Sequence, residues 1–442
     1  MRRQRAGLAW SLRRSAVRYR FQESLFLLPA LVMLGGIGLA IGATAVDDAI
    51  GHDAELPLVL AMSSNAGTWL LATVAGAMIT TVGVVFSLTV VSLQLASDQF
   101  SPRVMRSFIR DRLSQRVIGL LVGTFFYCVL VLPNISGEPT DPAPRVSLTL
   151  AIVLTLVTVV GIIVHLDHLA RGLQVGNVVR VIAAEAEAVV AAVGRLPSGL
   201  RQVDPEELAA PEDAAVVECH VSGWVSQVDV RQALRVAAGT TARLETRVGA
   251  YIHAGEPLFT VWPAPGERDR TALATAVEVT DARTMLQDVD FALRQLVDIG
   301  LRALSPAVND PTTAVEVILR VGSLMRNVLT APLAPTALQD GEGRVLVQPW
   351  NLDHDELVAH AFDQLRQRCL DQPQVAATLL RVLRMLAVHV RDEGHEERVP
   401  ALEHQVSLLL EALEDGRPVR PEDLRRVAAV ATDETDPADH SR

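Results

Sequence analysis

The segment GLRALSPAVNDPTTA, residues 300–314, holds a dense run of polar side chains that could bind a ligand or a partner. Pro306 disfavours a helical conformation at Ser305, so a first helix should end there. Asn309 or Asp310 can accept free N–H groups of a second helix, and Pro311 fits its first position. These residue types predict a helix–turn–helix corner. The formation of that corner is enough to account for them, without a bound ligand. The functional interpretation is a polar pocket or subunit contact, lined by Arg302, Ser305, Asn309, Asp310, Pro311, Thr312 and Thr313.

The start of the second helix decides what this corner could bind. A helix N-terminus usually attracts anions. Because Asp310 already occupies that place, a cation or an arginine of a neighbouring protein fits better than a phosphate. If the helix begins later, Thr313 and Glu316 have the spacing of a capping box.

A second set of small and polar residues runs through a long uncharged stretch, residues 67–97. Its members fall at intervals of three, four and seven and lie on one helical stripe: Thr73, Gly76, Thr80, Gly83, Ser87 and Gln94. One interpretation is a tight helix–helix seam in which hydroxyl groups bond across the contact or back to their own helix. The other is the wall of a hydrated path in an oligomer. No acidic residue lies within the uncharged stretches, which argues against a proton relay.

Other chemistry finds little support in the sequence. His165 and His168 are spaced i, i+3 and could begin a metal site, but no third ligand lies nearby, so we predict no metal and no cofactor. All 40 basic residues are arginine, which excludes lysine Schiff bases, P-loops and biotinyl or lipoyl attachment. The nucleophile, zinc-protease, dinucleotide and phosphate-loop motifs are missing from the sequence, and we predict that the protein is not an enzyme.

Four long apolar stretches without charges predict transmembrane helices. They cover residues 24–46, 67–97, 117–133 and 146–166. About 20 apolar residues cross the roughly 30 Å hydrocarbon core, and a charge at its centre costs about 3 kcal/mol. The Arg-rich start also resembles a signal peptide, but the first stretch is long for a signal core. Gly38-x-x-x-Gly42 and Gly119-x-x-x-Gly123 predict close helix contacts.

The distribution of arginine predicts the orientation. Seven arginines precede the first span within residues 1–23, and five lie between spans two and three, whereas the other two loops hold only Arg145. Positive loops stay in the cytoplasm. We therefore expect a multi-pass protein of the bacterial inner membrane with both termini in the cytoplasm.

The remainder of the chain is acidic, with 27 arginines and 41 acidic residues over residues 171–442 and a net charge of −14. Such a surface argues against nucleic-acid binding. The pattern predicts a helical extension and linker over 167–213, a small β module over 214–264, a helical domain over 265–430 and a disordered acidic tail over 431–442. VGAYIHAGEPLFTV in the β module resembles one arm of the small β-barrel of biotinyl and lipoyl carrier domains. The expected fold class is thus a four-span α-helical membrane protein with a cytosolic α+β region.

Three segments carry a resemblance to a family. They are LQLASDQFSPRVMRSFIRDRLSQRVIGLLVGTFFYCVLVL (93–132), HLDHLARGLQVGNVV (165–179) and DVDFALRQLVDIGLRALSPAVNDPTTAVEVI (288–318). The chain resembles the bacterial predicted membrane proteins called domain of unknown function 2254. This resemblance implies four spans and a cytosolic domain, and it brings no activity, cofactor or catalytic residue. Ala307 and Thr312 stand where the family pattern has Gly and a larger aromatic residue, so we expect the corner to be packed differently here.

Two functions remain open on the sequence. The first is a homo-oligomeric channel or transport-like pore with a cytosolic regulatory domain, motivated by the polar stripe and the paired glycine motifs. The alternative is a membrane-anchored sensor or scaffold that binds a cytosolic protein, motivated by the acidic domain and the corner. The expected partners are the lipid bilayer, further copies of the chain and a cytosolic protein, with no nucleic acid.

Overall fold

Four long apolar helices make up the N-terminal part of the computed structural model, which describes residues 27–50, 62–99, 112–136, 138, 142–172, 174–205 and 210–415. They are α1 (Leu27–Ile50), α2 (Ser64–Gln99), α3 (Arg112–Val131) and α4 (Arg145–Gly172). A 3₁₀ turn, Leu132–Asn134, continues α3. All four are long and apolar enough to cross a membrane. The four predicted spans are thus confirmed as helices of sufficient length and apolar composition. The N-terminus through residue 26 and the acidic tail lie outside the described residues.

The first span extends further than its uncharged stretch suggests. It was predicted to end at residue 46, but α1 runs to Ile50 and includes Asp47 and Asp48. Asp47 is buried. Its carboxylate accepts hydrogen bonds from the N–H groups of Val146 and Ser147 at 2.9 and 2.8 Å, so it caps the start of α4. The helix continues past the charge because the charge has hydrogen-bond partners.

Helices α1 and α3 approach through glycine. A methyl group on Gly36 would lie 2.6 Å from the carbonyl oxygen of Gly123, and one on Gly119 would lie 2.9 Å from Pro29 Cα. The backbones are therefore too close for a larger residue. The predicted motif Gly38-x-x-x-Gly42 makes no such contact among the described residues, because nothing lies within 4 Å of a methyl group placed on either glycine.

The C-terminal unit begins at Val175 and has its own core. Helix α5 (Val175–Val193) packs against two later helices, α8 (Val289–Ala303) and α9 (Pro311–Thr330). The sequence pattern over 167–213 predicted a helical extension of span four followed by a linker. In the structure, α4 ends at Gly172 and α5 is a separate helix of the second unit.

Within the described residues of this unit, nine strands form two sheets. Five lie within the predicted β module: β2 (Ala215–Glu218), β3 (Gly223–Val228), β4 (Thr241–Leu244), the short β5 (Tyr251–Ile252) and β6 (Pro257–Trp262). The others flank it: β1 (Arg201–Gln202), β7 (Val277–Thr280), β8 (Ala337–Gln339) and β9 (Val345–Val347). Two short helices, α6 (Val230–Ala233) and α7 (Glu267–Ala274), lie between strands.

The sheet order brings distant segments together. The six-stranded sheet has the order β1-β8-β9-β4-β6-β2 and the three-stranded sheet the order β5-β3-β7. Strand β9 runs parallel to β4, and the other pairs are antiparallel. The predicted helical domain, residues 265–430, therefore also contributes three strands. Strands β8 and β9 have three residues each, too few for a clear alternation of apolar and polar residues.

The remaining helices follow the predicted periodicity. They are α10 (His354–Arg368), α11 (Pro373–Asp392) and α12 (Val399–Asp415), with a 3₁₀ turn at Glu396–Arg398 before α12. All three lie within the predicted helical domain, residues 265–430. Helix α9 is the centre of this bundle, with fully buried residues along most of its length, and it packs on α5, α8 and α11.

Candidate functional site

The polar stripe of α2 faces away from the rest of its own unit. All six residues of the stripe, from Thr73 to Gln94, are exposed. The buried residues of α2 lie on the opposite side of the helix: Leu71, Val74, Ala75, Met78 and Val85. Nothing lies within 4 Å of a methyl group placed on Gly76 or Gly83. No described helix of the same unit covers the stripe.

On α2, the hydroxyl groups of Thr80, Thr81 and Thr89 are bonded to their own helix. Thr80 Oγ1 donates to the carbonyl oxygen of Gly76 at 2.8 Å, and Thr81 Oγ1 to that of Ala77 at 2.8 Å. Such back-bonding satisfies the donor in a lipid environment and leaves an oxygen lone pair free to accept from water or from a second helix. The stripe can therefore line either a hydrated path or a contact with another chain.

A different polar seam holds α3 and α4 together. Thr124 Oγ1 and Thr158 Oγ1 are 3.0 Å apart in the buried interface. Tyr127 donates its hydroxyl to the carbonyl oxygen of Ser147 at 2.8 Å, and Ser147 Oγ donates to Asp47 at 2.6 Å. Sequence reasoning missed Asp47, although an acidic residue directly after an apolar run was a usable signal.

The two candidate metal ligands on α4 are in different environments. His165 is fully buried, with Nδ1 3.4 Å from Ser114 Oγ, whereas His168 is exposed. Among the described residues, no group of three or more His, Cys, Asp or Glu side chains could hold a metal ion. His165 therefore belongs to the α3–α4 seam.

The corner between α8 and α9 is built as a helix cap. Asp310 Oδ1 accepts from the Thr313 N–H at 3.1 Å, and Asp310 Oδ2 accepts from Thr313 Oγ1 at 2.6 Å. Pro311 takes the first helical position. The alternative start, with Thr313 as the cap and Glu316 as its partner, is wrong because Asp310 supplies the cap one turn earlier.

Neighbouring side chains complete the corner. Ser305 Oγ donates to the carbonyl oxygen of Arg302 at 2.7 Å. Asn309 has a φ of 47°, a left-handed conformation that Asn tolerates, and its Oδ1 accepts from Gln372 Nε2 at 3.0 Å. The hydrogen bonds from Thr313 lower the pKa of Asp310. The polar groups of Ser305, Asp310 and Thr313 are thus used inside the corner, while Thr312 is exposed.

Comparison with known proteins places the chain in a family. The model of the family described as "Predicted membrane protein", domain of unknown function 2254, matches residues 22–385. The chain belongs to this family. It is 31% identical over 418 residues to an uncharacterised protein of Mycobacterium bovis, an alignment that covers 90% of this chain and 78% of the relative. An uncharacterised protein of Mycobacterium tuberculosis has the same identity and coverage. No solved structure matches the chain.

The match to domain of unknown function 2254 includes the α2 stripe, the corner and a buried charge cluster that sequence reasoning missed. In this cluster, Arg283 binds Asp288 through Nε at 2.7 Å and Asp290 through Nη2 at 2.6 Å. Asp288 also accepts from the N–H of Phe291 and so caps α8. Two acidic residues at the start of a helix, with Arg294 four residues after Asp290, were a usable signal.

Two further side chains close the cluster from α8 and α10. Arg294 Nε lies 3.0 Å from Asp290 Oδ2, and His360 Nδ1 lies 2.7 Å from Asp290 Oδ1. Burial favours a raised pKa at Asp290, but the hydrogen bond and charge of Arg283, with those of Arg294, lower it below its usual range. In this member of the family the cluster ties the loop after β7 to α8 and α10, and its charged groups are satisfied by one another.

Proposed function

We propose that this protein is a homo-oligomer of the bacterial inner membrane that forms a transport-like pore, with the α2 stripe facing a hydrated axis. The observation that supports it is the position of the stripe. Six small or polar residues are exposed on α2, directly opposite the face that packs within the chain. Further copies of the chain would supply the other walls of the path.

The chemistry of the stripe suits small hydrophilic solutes. Its hydroxyl groups can accept hydrogen bonds from water, and Gly76 and Gly83 leave room along the helix. The stripe has no charged side chain. We therefore expect weak discrimination between cations and anions, since rings of charge are what usually select for sign.

The proposal also fixes an orientation. Both termini and the C-terminal unit lie in the cytoplasm, because the Arg-rich segments before α1 and between α2 and α3 are retained there. The acidic C-terminal unit then acts as a regulatory domain. Its strands, arranged around the predicted barrel-like module, serve as an interaction surface and not as a carrier.

Thiol labelling tests the hydrated axis. The three native cysteines are buried and should react poorly. A single cysteine introduced at Thr73, Thr80 or Ser87 should therefore be the reactive thiol of its variant. Maleimides react with the thiolate, which forms in water and not in lipid. We expect a membrane-impermeant maleimide to label these variants in native membranes. Ile79→Cys and Phe86→Cys are matched controls on an exposed apolar side of α2, and they should react at least about tenfold more slowly.

Solute flux tests the transport function itself. Purified protein in liposomes should pass small hydrophilic solutes, and the triple variant Thr73→Leu, Thr80→Leu, Ser87→Leu should lose most of this flux. A double variant, Ile79→Leu with Phe86→Leu, is the control and should retain it. Equal labelling of stripe and control cysteines, or unchanged flux in the triple variant, would refute the proposal that the α2 stripe lines a pore.

A membrane-anchored scaffold is the second candidate, and the exposed part of the corner favours it. Val308 is 51% exposed on the turn beside Asn309, where an apolar side chain is available for contact. A cytosolic partner captured by the purified wild-type protein and lost with Val308→Asp would support this function. A partner that binds both proteins equally would exclude the corner as its site.

A further inference from the structure

The polar stripe of α2 skips one helical turn near the C-terminal end of the helix. From Thr73 to Ser87 its members follow one another at intervals of three or four residues, but Gln94 comes seven residues after Ser87. At about 1.5 Å per residue, a segment of about 10 Å separates these last two polar side chains. The residues exposed in this segment decide whether a hydrated path along α2 is continuous.

The exposed side of the segment is apolar. Among residues 88–93 the large exposed side chains are Leu88, Val90 and Val91. The two polar residues lie on the packed side of the helix. Thr89 Oγ1 donates to the carbonyl oxygen of Val85, a buried residue, at 2.8 Å. Ser92 is half-buried and comes 18 residues, or about five full turns, after the buried Val74.

Val91 lies in line with the stripe. It comes 18 residues after Thr73, which is about five full turns, so both side chains project from the same side of α2. It is four residues after Ser87 and three before Gln94, which is the spacing of the other members of the stripe. Val91 is 46% exposed within its unit. A branched apolar side chain therefore occupies the position where the next small or polar residue would fall.

We propose that Val91 is the gate of the pore. Where the α2 stripe of each copy faces a common axis, the Val91 side chains of all copies form an apolar ring between the levels of Ser87 and Gln94. This inference rests on the proposed function, because a single chain has no ring. Water inside such a ring loses hydrogen bonds without replacement, and hydrophobic constrictions close channels by excluding water. Hydrated solutes are then held back at one turn of the helix while the rest of the path is wet.

Thiol labelling from each side of the membrane locates the barrier. Ser87→Cys and Gln94→Cys place one thiol on either side of Val91. Intact spheroplasts and inverted membrane vesicles expose the two membrane faces to an impermeant maleimide. We expect the Ser87→Cys variant to react from the face nearer Thr73 and the Gln94→Cys variant from the opposite face. Each should react at least about tenfold more slowly from the other face, since the reagent must cross the dry ring.

Val91→Thr tests the apolar character of the ring at nearly constant side-chain size, because a hydroxyl group replaces a methyl group. The new hydroxyl can bond to the carbonyl oxygen of residue 87, as Thr80 does to that of Gly76. We expect solute flux through the full-length protein in liposomes to rise at least about fivefold over the wild type. Combined with Ser87→Cys or Gln94→Cys, it should make labelling independent of the membrane face. Ile79→Thr, on an exposed apolar side of α2, is the control and should change neither.

The outcomes separate the gate from the pore. If Ser87→Cys and Gln94→Cys react equally from the same face, the hydrated axis stands and the gate is refuted. Val91→Thr with wild-type flux and wild-type sidedness of labelling also refutes the gate. If Thr73→Cys, Ser87→Cys and Gln94→Cys react from neither face, the proposed function fails and the gate fails with it.

Discussion

Asp290 shows how a single buried charge organises the C-terminal unit. Its side chain is 2% exposed, yet it contacts Arg283, Arg294 and His360 from three segments of the chain. A buried ion network adds little net stability compared with apolar packing, but removal of one member leaves the others without compensation. The cluster therefore specifies how α8, α10 and the loop after β7 fit together.

Asp290→Asn should strongly destabilise the C-terminal unit. We expect a loss of about 3 kcal/mol, because Arg283 and Arg294 lose a charged partner in a buried site. Urea unfolding of the purified protein, followed by tryptophan fluorescence, measures the change. Asp281→Asn, at an exposed position just before the same loop, is the control and should stay within about 0.5 kcal/mol of the wild type. A loss below about 1 kcal/mol at Asp290 would mean that the network does not hold these segments together.

Side chains that act on their nearest neighbours in sequence were the more predictable ones. The cap formed by Asp310 and Pro311 follows from two adjacent residue types, and the structure has that cap. The cluster at Asp290 was missed because His360 lies 70 residues away along the chain. The partner of Asp47 is 100 residues away and was missed for the same reason.

Among the secondary-structure elements, the corner between α8 and α9 ends one helix and begins the next. Asp310 donates its N–H to the carbonyl oxygen of Ala303 at 2.8 Å, which closes the end of α8, and its carboxylate opens α9. One residue thus joins two helices of the bundle. This arrangement explains the order of the turn without requiring a ligand.

Asp310→Ala should lower stability by about 1 kcal/mol, the usual loss on removal of a helix cap. The same urea titration measures it. Asp371→Ala is the control, since Asp371 is exposed and lies two residues before α11, whose N-cap Gln372 makes no side-chain cap hydrogen bond. Because the pKa of Asp310 is lowered, its contribution is fully present above its ordinary value near pH 4 and is lost as the pH falls below that value, through the lowered pKa. Equal stability of the two variants at pH 7 would show that the cap has no energetic role.

Across the whole molecule, the prediction that matters most is which side of the membrane holds the C-terminal unit. The asymmetry of arginine between loops predicts the cytoplasm. Alkaline phosphatase fused after Ala264 should be inactive, because it folds only outside the cytoplasm, and a fluorescent protein fused at the same place should be bright. A control fusion in the loop between α1 and α2, at residue 55, should give the opposite pattern. An active phosphatase after Ala264 would invert the proposed topology.

The number of spans and the positions of the larger helices follow directly from composition and periodicity. A charge-free run of 20 residues is stable only in the hydrocarbon core of a membrane, and a hydrophobic period of 3.6 residues fits only an α-helix. Both predictions can therefore be made without knowing which distant residues are in contact. Tertiary structure was needed for everything that depends on a partner far along the chain. It added β8 and β9 to the sheet that contains β4, because their short strands are stabilised by neighbours and not by their own pattern. It also placed the α2 stripe opposite the packed face, since a periodic pattern names a helix face but not what that face contacts.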